Sequence, residues 1–400
     1  MKKLFFNVTL ALVLASIMMS TVVAPALAEE PEEPTGPRVT ATIEKELIAP
    51  EGTVLPAGLT FTFSFAQVYG PTVTPAIPDA TLDMTRTGVD VRTANGIITF
   101  SDETANLLEG VTFPTGGMYI FEVTERDTVT PPVDGTMTFD SRSWLLFVQV
   151  ANRDAGTEIH TVIMGRPRVD AESGAPILDE LGRPTAEAKD SGSMLFENMF
   201  IPTDIGTIDD PEDTALVISK TVTGELANML LPFSFSLNLT APALPVGTTL
   251  EGPIWATIVD TRGTTDVTVG DPIDILENPN FTLPHGHELR VATLPVGAGF
   301  TVTETGTPEY VPSAIVVAGS ATGNYTREIG QGLTTGSYRI SMEEAGNSAA
   351  FTNAHQAIEI MGLVIASMPF ITALVLSTAL LAMMVATRSR KRIESLPIAH

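Results

Sequence analysis

Six polar residues fall in apolar rows of this chain, and they occur twice in the same order. Lys45 lies in ATIEKEL and Lys220 in LVISKTV; Glu125 ends MYIFEVTE and Glu304 ends GFTVTE; Asn198 lies in LFENMF and Asn353 in AFTNAH. A buried lysine or glutamate is costly unless it is paired or neutralised. Burial lowers an amine's pKa and raises an acid's, so such a pair can exist as neutral amine and neutral acid. A neutral, desolvated lysine is a nucleophile. Set against an asparagine carboxamide, it can attack the side-chain carbonyl carbon while a protonated glutamate bonds the carbonyl oxygen and shuttles protons to departing ammonia. The product is an amide between Lys Nζ and Asn Cγ, a single-turnover self-modification driven by proximity within the fold.

The elements that must hold these groups read as β-strands. Alternate strand residues share a face. Lys45 shares its face with Ile43 and Leu47, and Lys220 with Leu216, Ile218 and Val222. Glu125 continues the row Tyr119, Phe121, Val123, and Glu304 continues Phe300 and Val302. Asn198 sits between Phe196 and Phe200, and Asn353 follows Phe351. All six are therefore expected to face a core. Between the two ends of the chain there are only three lysines, Lys45, Lys189 and Lys220, and two of them occupy these rows.

Other runs alternate as strictly: Phe61, Phe63 and Phe65 with threonine and serine, and Phe233, Phe235, Leu237 and Leu239 with Ser234, Ser236 and Asn238. Short alternating runs broken by Gly, Pro, Asn and Asp predict an all-β chain of antiparallel sandwiches. Residues 201–214 (IPTDIGTIDDPEDT) are acidic and Pro-containing without alternation, and read as a linker between modules at 38–200 and 215–355. A polar stretch, about 168–192, carries helix-like pieces (ILDEL, TAEAKD) and reads as a surface insertion in the first module.

The ends define a compartment. Met1-Lys2-Lys3, an apolar run and Ala26-Leu27-Ala28 predict a signal peptide over 1–28, followed by an acidic Pro-rich spacer at 29–37. Residues 360–386 contain no charge and exceed the ~20 residues a helix needs to cross a bilayer. The tail 387–400 opens with Arg388, Arg390, Lys391 and Arg392, which predicts a cytoplasmic tail and an exterior at 29–359. Setting aside Lys2, Lys3 and the tail's net +3 takes the chain's −25 to −30 for that exterior. So acidic a surface repels phosphate backbones, which excludes nucleic acid as a partner. With no cysteine there is no disulfide and no thiolate metal ligand, so stability must come from elsewhere.

Weaker signals lead nowhere specific. His285-Gly286-His287 reads as a turn without a third metal ligand, and the Asp-bearing stretch 260–278 as a solvated loop that does not match a calcium loop. Trp144 and Trp255 read as core or strand residues. No hydrolase, zincin or P-loop motif is present, and neither cofactor nor metal is expected.

Lysine on a first strand, V-T-E on a central strand and F-x-N on a last strand resemble the isopeptide-linkage domains of Gram-positive pilins. With Gly117-Met118-Tyr119 and Thr138-Phe139-Asp140 ahead of the Trp144–Val150 run, the first module resembles the FctA-type pilin domain. The second, with ISKTVTG at its head and AFTN at its end, resembles the CnaB-like modules. The resemblance implies two tandem Ig-like sandwiches, cross-links Lys45–Asn198 and Lys220–Asn353, and assistance by Glu125 and Glu304. It implies a pilin-like subunit or stalk at the cell surface rather than an enzyme. It also suggests a membrane anchor through the C-terminal helix and other pilus or surface subunits as partners. An adhesin binding a host or polymer ligand through its loops is the alternative. The chain departs from such pilins in one respect: residues 354–359 (AHQAIE) carry no LPxTG-like sorting motif, which leaves Lys189 as the only spare extracellular lysine for an intermolecular link.

Overall fold

The structure is a computed structural model that describes residues 39–187, 193–206, 214–356 and 377. The expected signal peptide, spacer and tail lie outside the described residues, as do Lys189, residues 207–213 and all but Ser377 of the apolar stretch 360–386. Among the described residues no helix is long and apolar enough to cross a membrane.

The described chain is built of strands. The first ten are β1 (Ile43–Pro50), β2 (Thr60–Tyr69), β3 (Ala80–Asp83), β4 (Asp90–Ala94), β5 (Ile97–Glu103), β6 (Gly117–Thr130), β7 (Gly135–Thr138), β8 (Trp144–Arg153), β9 (Gly156–Gly165) and β10 (Met194–Pro202). They form two five-stranded sheets, ordered β4-β5-β1-β10-β7 and β3-β2-β6-β8-β9. One apolar cluster fills the space between them, drawing Ile43, Leu47, Phe196 and Phe200 from the first sheet and Phe61, Phe63, Phe121 and Leu146 from the second.

Twelve more strands follow: β11 (Leu216–Thr223), β12 (Phe233–Thr240), β13 (Trp255–Asp260), β14 (Val267–Asp274), β15 (Asn280–Leu283), β16 (His287–Val291), β17 (Gly299–Glu304), β18 (Tyr310–Ala318), β19 (Ala321–Thr326), β20 (Leu333–Thr334), β21 (Tyr338–Arg339) and β22 (Asn347–His355). A seven-stranded sheet, β14-β13-β16-β11-β22-β18-β19, faces a smaller one, β15-β12-β17-β20, with β21 also on β17. A second cluster, including Ile218, Phe235, Phe300 and Phe351, lies between them.

In each half the first and last strands are neighbours and run parallel, β1 with β10 and β11 with β22. Parallel neighbours cannot be joined by a hairpin. The whole module is the connection between them.

Three sequence expectations differ from the structure. Over its described residues, through Glu187, the insertion is not helical: bridges Pro167↔Ala186, Val169↔Pro176 and Leu178↔Pro184 make an irregular antiparallel ladder, since three of its rungs hold prolines that a helix interior would not tolerate. The stretch read as a solvated loop contains β14, an edge strand exposed on both faces over most of its length, which therefore lacks the alternation that signals a strand. The first module's last strand runs on through Ile201 and Pro202, two residues into the stretch read as linker.

Candidate functional site

Period-two patterning places each of the six residues inward. On β1, Ile43, Lys45 and Leu47 alternate as buried with half-buried Glu44 and Glu46. Asn198 follows Phe196 on the buried row of β10, and Asn353 follows Phe351 on that of β22. Lys45 is 0% exposed and Lys220 1%, so neither reaches solvent by extending its stem.

Register then repeats between the modules. Lys45 stands opposite Phe196 and Lys220 opposite Phe351; Leu47 stands opposite Asn198 and Val222 opposite Asn353. Each lysine and asparagine are thus two residues out of step on one face of adjacent parallel strands. The glutamates come from the facing sheet. Glu125 stands opposite Phe63 and Glu304 opposite Phe235. Those two phenylalanines meet the phenylalanines of the F-x-N motifs at 5.1 Å between ring centroids, Phe63 with Phe196 and Phe235 with Phe351. The aromatic pair keeps water from the polar trio in each core.

In the first module Lys45 Nζ lies 3.1 Å from each oxygen of Glu125 and donates to the Phe196 carbonyl at 3.4 Å. Asn198 Nδ2 donates to Glu125 Oε1 at 2.8 Å, and Asn198 Oδ1 accepts from the Asp140 backbone N–H at 2.8 Å. In the second module Lys220 Nζ and Asn353 Nδ2 both donate to Glu304 Oε1, at 2.8 and 2.6 Å. Glu304 Oε2 and Asn353 Oδ1, both buried, have no hydrogen-bond partner among the described residues. One proton on the Glu304 carboxyl would turn one of these stranded acceptors into a donor.

Burial dominates the electrostatics. It drives the Lys45 and Lys220 amines down to about 8 from 10.5, against the opposing pull of Glu125 and Glu304. It likewise raises both glutamates above the usual carboxylate range, again outweighing the paired ammonium. Each lysine also lies near aromatic faces, Lys45 Nζ 4.9 Å from the Phe61 centroid and Lys220 Nζ 4.2 Å from that of Phe233. Each site thus combines a readily deprotonated amine, a carboxamide and an acid that touches both.

The structure brings together the same three residues in each module that the sequence singled out. Sequence reasoning missed the amide of Asp140, because a main-chain donor leaves no trace in residue type. His285 and Gly286 form a turn in which His285 Nδ1 accepts from Val222 N–H at 3.0 Å. Trp144 and Trp255 both lie in strands, the latter substantially exposed.

Residues 214–355 match the model of a domain family described as a domain of unknown function, DUF7601. No curated protein matches the chain. Among solved structures it is similar to the major pilin from Streptococcus pyogenes, at 20% identity over 80% of this chain and 99% of that chain, with a TM-score of 0.30. The major pilin T-13 from a second S. pyogenes serotype gives 22% identity over 80% and 98%, with a TM-score of 0.27. A pilus-presented adhesin gives 17% identity over 44% of this chain and 34% of that chain, with a TM-score of 0.20. The structural neighbours are pilus proteins.

Proposed function

We propose that this chain is a structural subunit of a pilus or cell surface, an FctA-like module followed by a CnaB-like one, each braced by a self-formed isopeptide bond. Lys45 joins Asn198 with Glu125 as proton shuttle, and Lys220 joins Asn353 with Glu304. The observation that carries this reading is the duplicated trio: two fully buried lysines, each hydrogen-bonded to a glutamate that also bonds an asparagine on the neighbouring strand. A merely structural ion pair accounts for lysine and glutamate but not for the asparagine at the same register offset in both modules.

In each reaction the Nζ lone pair forms a bond to Cγ, the Cγ–Nδ2 bond breaks, and a proton from Nζ leaves with Nδ2 as ammonia. The charge-free stretch 360–386 and the basic residues after it support an anchor that holds the braced modules outside the cell.

Intact mass tests the reading. Residues 39–356, produced recombinantly, should weigh two ammonias less than the sequence. Replacing Lys45 or Asn198 with alanine should restore one, and replacing Lys220 or Asn353 the other. A mass equal to that of the sequence would sink the proposal.

A further inference from the structure

Among the contacts in which the two trios differ, one lies at the atom where charge would develop. Attack on a carboxamide places negative charge on Oδ1, and a donor already aimed at that oxygen stabilises the tetrahedral intermediate. Asn198 Oδ1 has such a donor, the Asp140 N–H at 2.8 Å. Asn353 Oδ1 has none among the described residues.

The origin of the difference is topological. Beside β10 runs β7, only four residues long, after which the chain crosses to the other sheet through residues 139–143. Beside β22 runs β18, a nine-residue strand that pairs along its whole length, so the residue opposite Asn353 is Pro312, which has no N–H, and the crossing loop 305–309 lies beyond it. The crossing loop in the first module is pinned by the Asp140 side chain. Its carboxylate accepts from the Arg142 N–H and guanidinium and, at 3.2 Å, from the Glu197 N–H next to Asn198. Burial works to raise the Asp140 carboxyl, but these hydrogen bonds together hold it below its ordinary value, so it stays anionic and keeps the loop fixed.

Resting on the isopeptide reading above, we propose that the Asp140 backbone amide is the oxyanion donor for the Lys45–Asn198 bond, its side chain positioning it, whereas Glu304 must serve both oxygen and leaving group in the second module. In the first module Glu125 then has only protons to carry. Nζ lies 3.1 Å from its oxygens and Nδ2 lies 2.8 Å away, so it takes the proton the amine loses and hands it to the nitrogen that departs as ammonia. Glu304 must in addition be protonated when attack occurs, because among the described residues no donor bonds Asn353 Oδ1 and the unpartnered Glu304 Oε2 belongs to the carboxyl already bonded to that side chain.

The test follows both bonds in the same molecule. Cell-free synthesis of residues 39–356 is stopped at intervals, and the two cross-linked peptide pairs are quantified by mass spectrometry. The first bond should form roughly a hundredfold or more faster than the second, the scale on which a single oxyanion donor acts. Asp140→Ala should slow the first bond on the order of tenfold and leave the second unchanged. Asp140→Asn, which keeps an acceptor oxygen for only one of the two neighbouring amides, should recover part of that rate. The pH profiles should also part: the second bond slows as rising pH takes the proton from Glu304, while the first does not, a separation that a purely structural role for Asp140 would not produce. An unchanged first-bond rate in Asp140→Ala, or superimposable pH profiles, overturns the oxyanion role with the cross-links intact. Failure of the wild-type chain to lose any ammonia overturns the function instead.

Discussion

A lysine amine held at about 8 rather than 10.5 is neutral in roughly one molecule in ten at pH 7, against fewer than one in a thousand for an unperturbed one. That gain in nucleophile comes from burial, and burial has a second consequence in protein that cannot react. In Glu125→Ala the amine is left in the core without its partner, and the opposing pull that Glu125 exerts is gone. The folded state then releases the Lys45 proton at a lower pH than the unfolded state does, so between those two values the unfolded chain binds more protons. Stability of Glu125→Ala should therefore rise with pH through that window, by on the order of 1 kcal/mol per unit, and fall as the pH drops toward the folded-state value. A wild-type protein cross-linked as proposed would have an amide in place of the amine and should lack this dependence. Melting temperatures of both proteins from pH 6 to 10 decide it, and parallel curves would count against a lysine that titrates in the core.

At the scale of strands, each module's chain enters on β1 or β11 and leaves on the parallel neighbour β10 or β22. Pulling the ends loads these neighbours in shear, and a bond from Lys220 to Asn353 would divert the load through covalent structure. It also closes a loop of over a hundred residues, worth about 5 kcal/mol in the loop-entropy picture of a cross-link. Asn353→Ala leaves the Lys220–Glu304 pair intact but cannot react. It should lose a comparable amount in denaturant unfolding, and its second module should unfold at markedly lower force in single-molecule pulling. This level was largely legible in the sequence. Phe196-x-Asn198 and Phe351-x-Asn353 fixed which faces turn inward, because a strand with one buried face cannot slip by one residue without exposing its core set. Parallel pairing of first and last strands was not legible, since nothing local specifies a partner so distant in the chain. Nor was β14: Val267 and Val269 are both well exposed, so its row carries no burial signal to read. ILDEL and TAEAKD have helical composition, yet Pro167, Pro176 and Pro184 on the rungs of the ladder overrule it.

At the scale of the whole molecule, the end of β1 and the turn after it meet the second module. Met342 N–H donates to the Gly52 carbonyl at 2.9 Å, Arg339 pairs with Glu51 at 3.2 Å, and Ile205 and Leu294 exchange backbone hydrogen bonds at 3.0 and 3.1 Å. Were the chain the braced stalk proposed above, it would gain stiffness only if this junction resists bending. The exposed Glu51–Arg339 pair contributes little by itself. Gly52 is the tighter point, with φ at +95° and room for no side chain: an added Cβ would lie 2.6 Å from the Ile340 carbonyl oxygen and 3.0 Å from Ser341 Cα. Gly58 supplies a control on the same side of the sandwich, with φ at +75° and nothing within 4 Å of an added Cβ. Both Gly→Ala changes carry backbone strain of roughly 1–3 kcal/mol. Only Gly52→Ala should also push the modules apart, splitting the calorimetric transition into two and broadening the interdomain distances seen by X-ray scattering. If Gly52→Ala and Gly58→Ala are indistinguishable in both measurements, the contact at Ile340–Met342 does not couple the modules, and any stiffness must come from the rest of the junction, Ile205–Leu294 included.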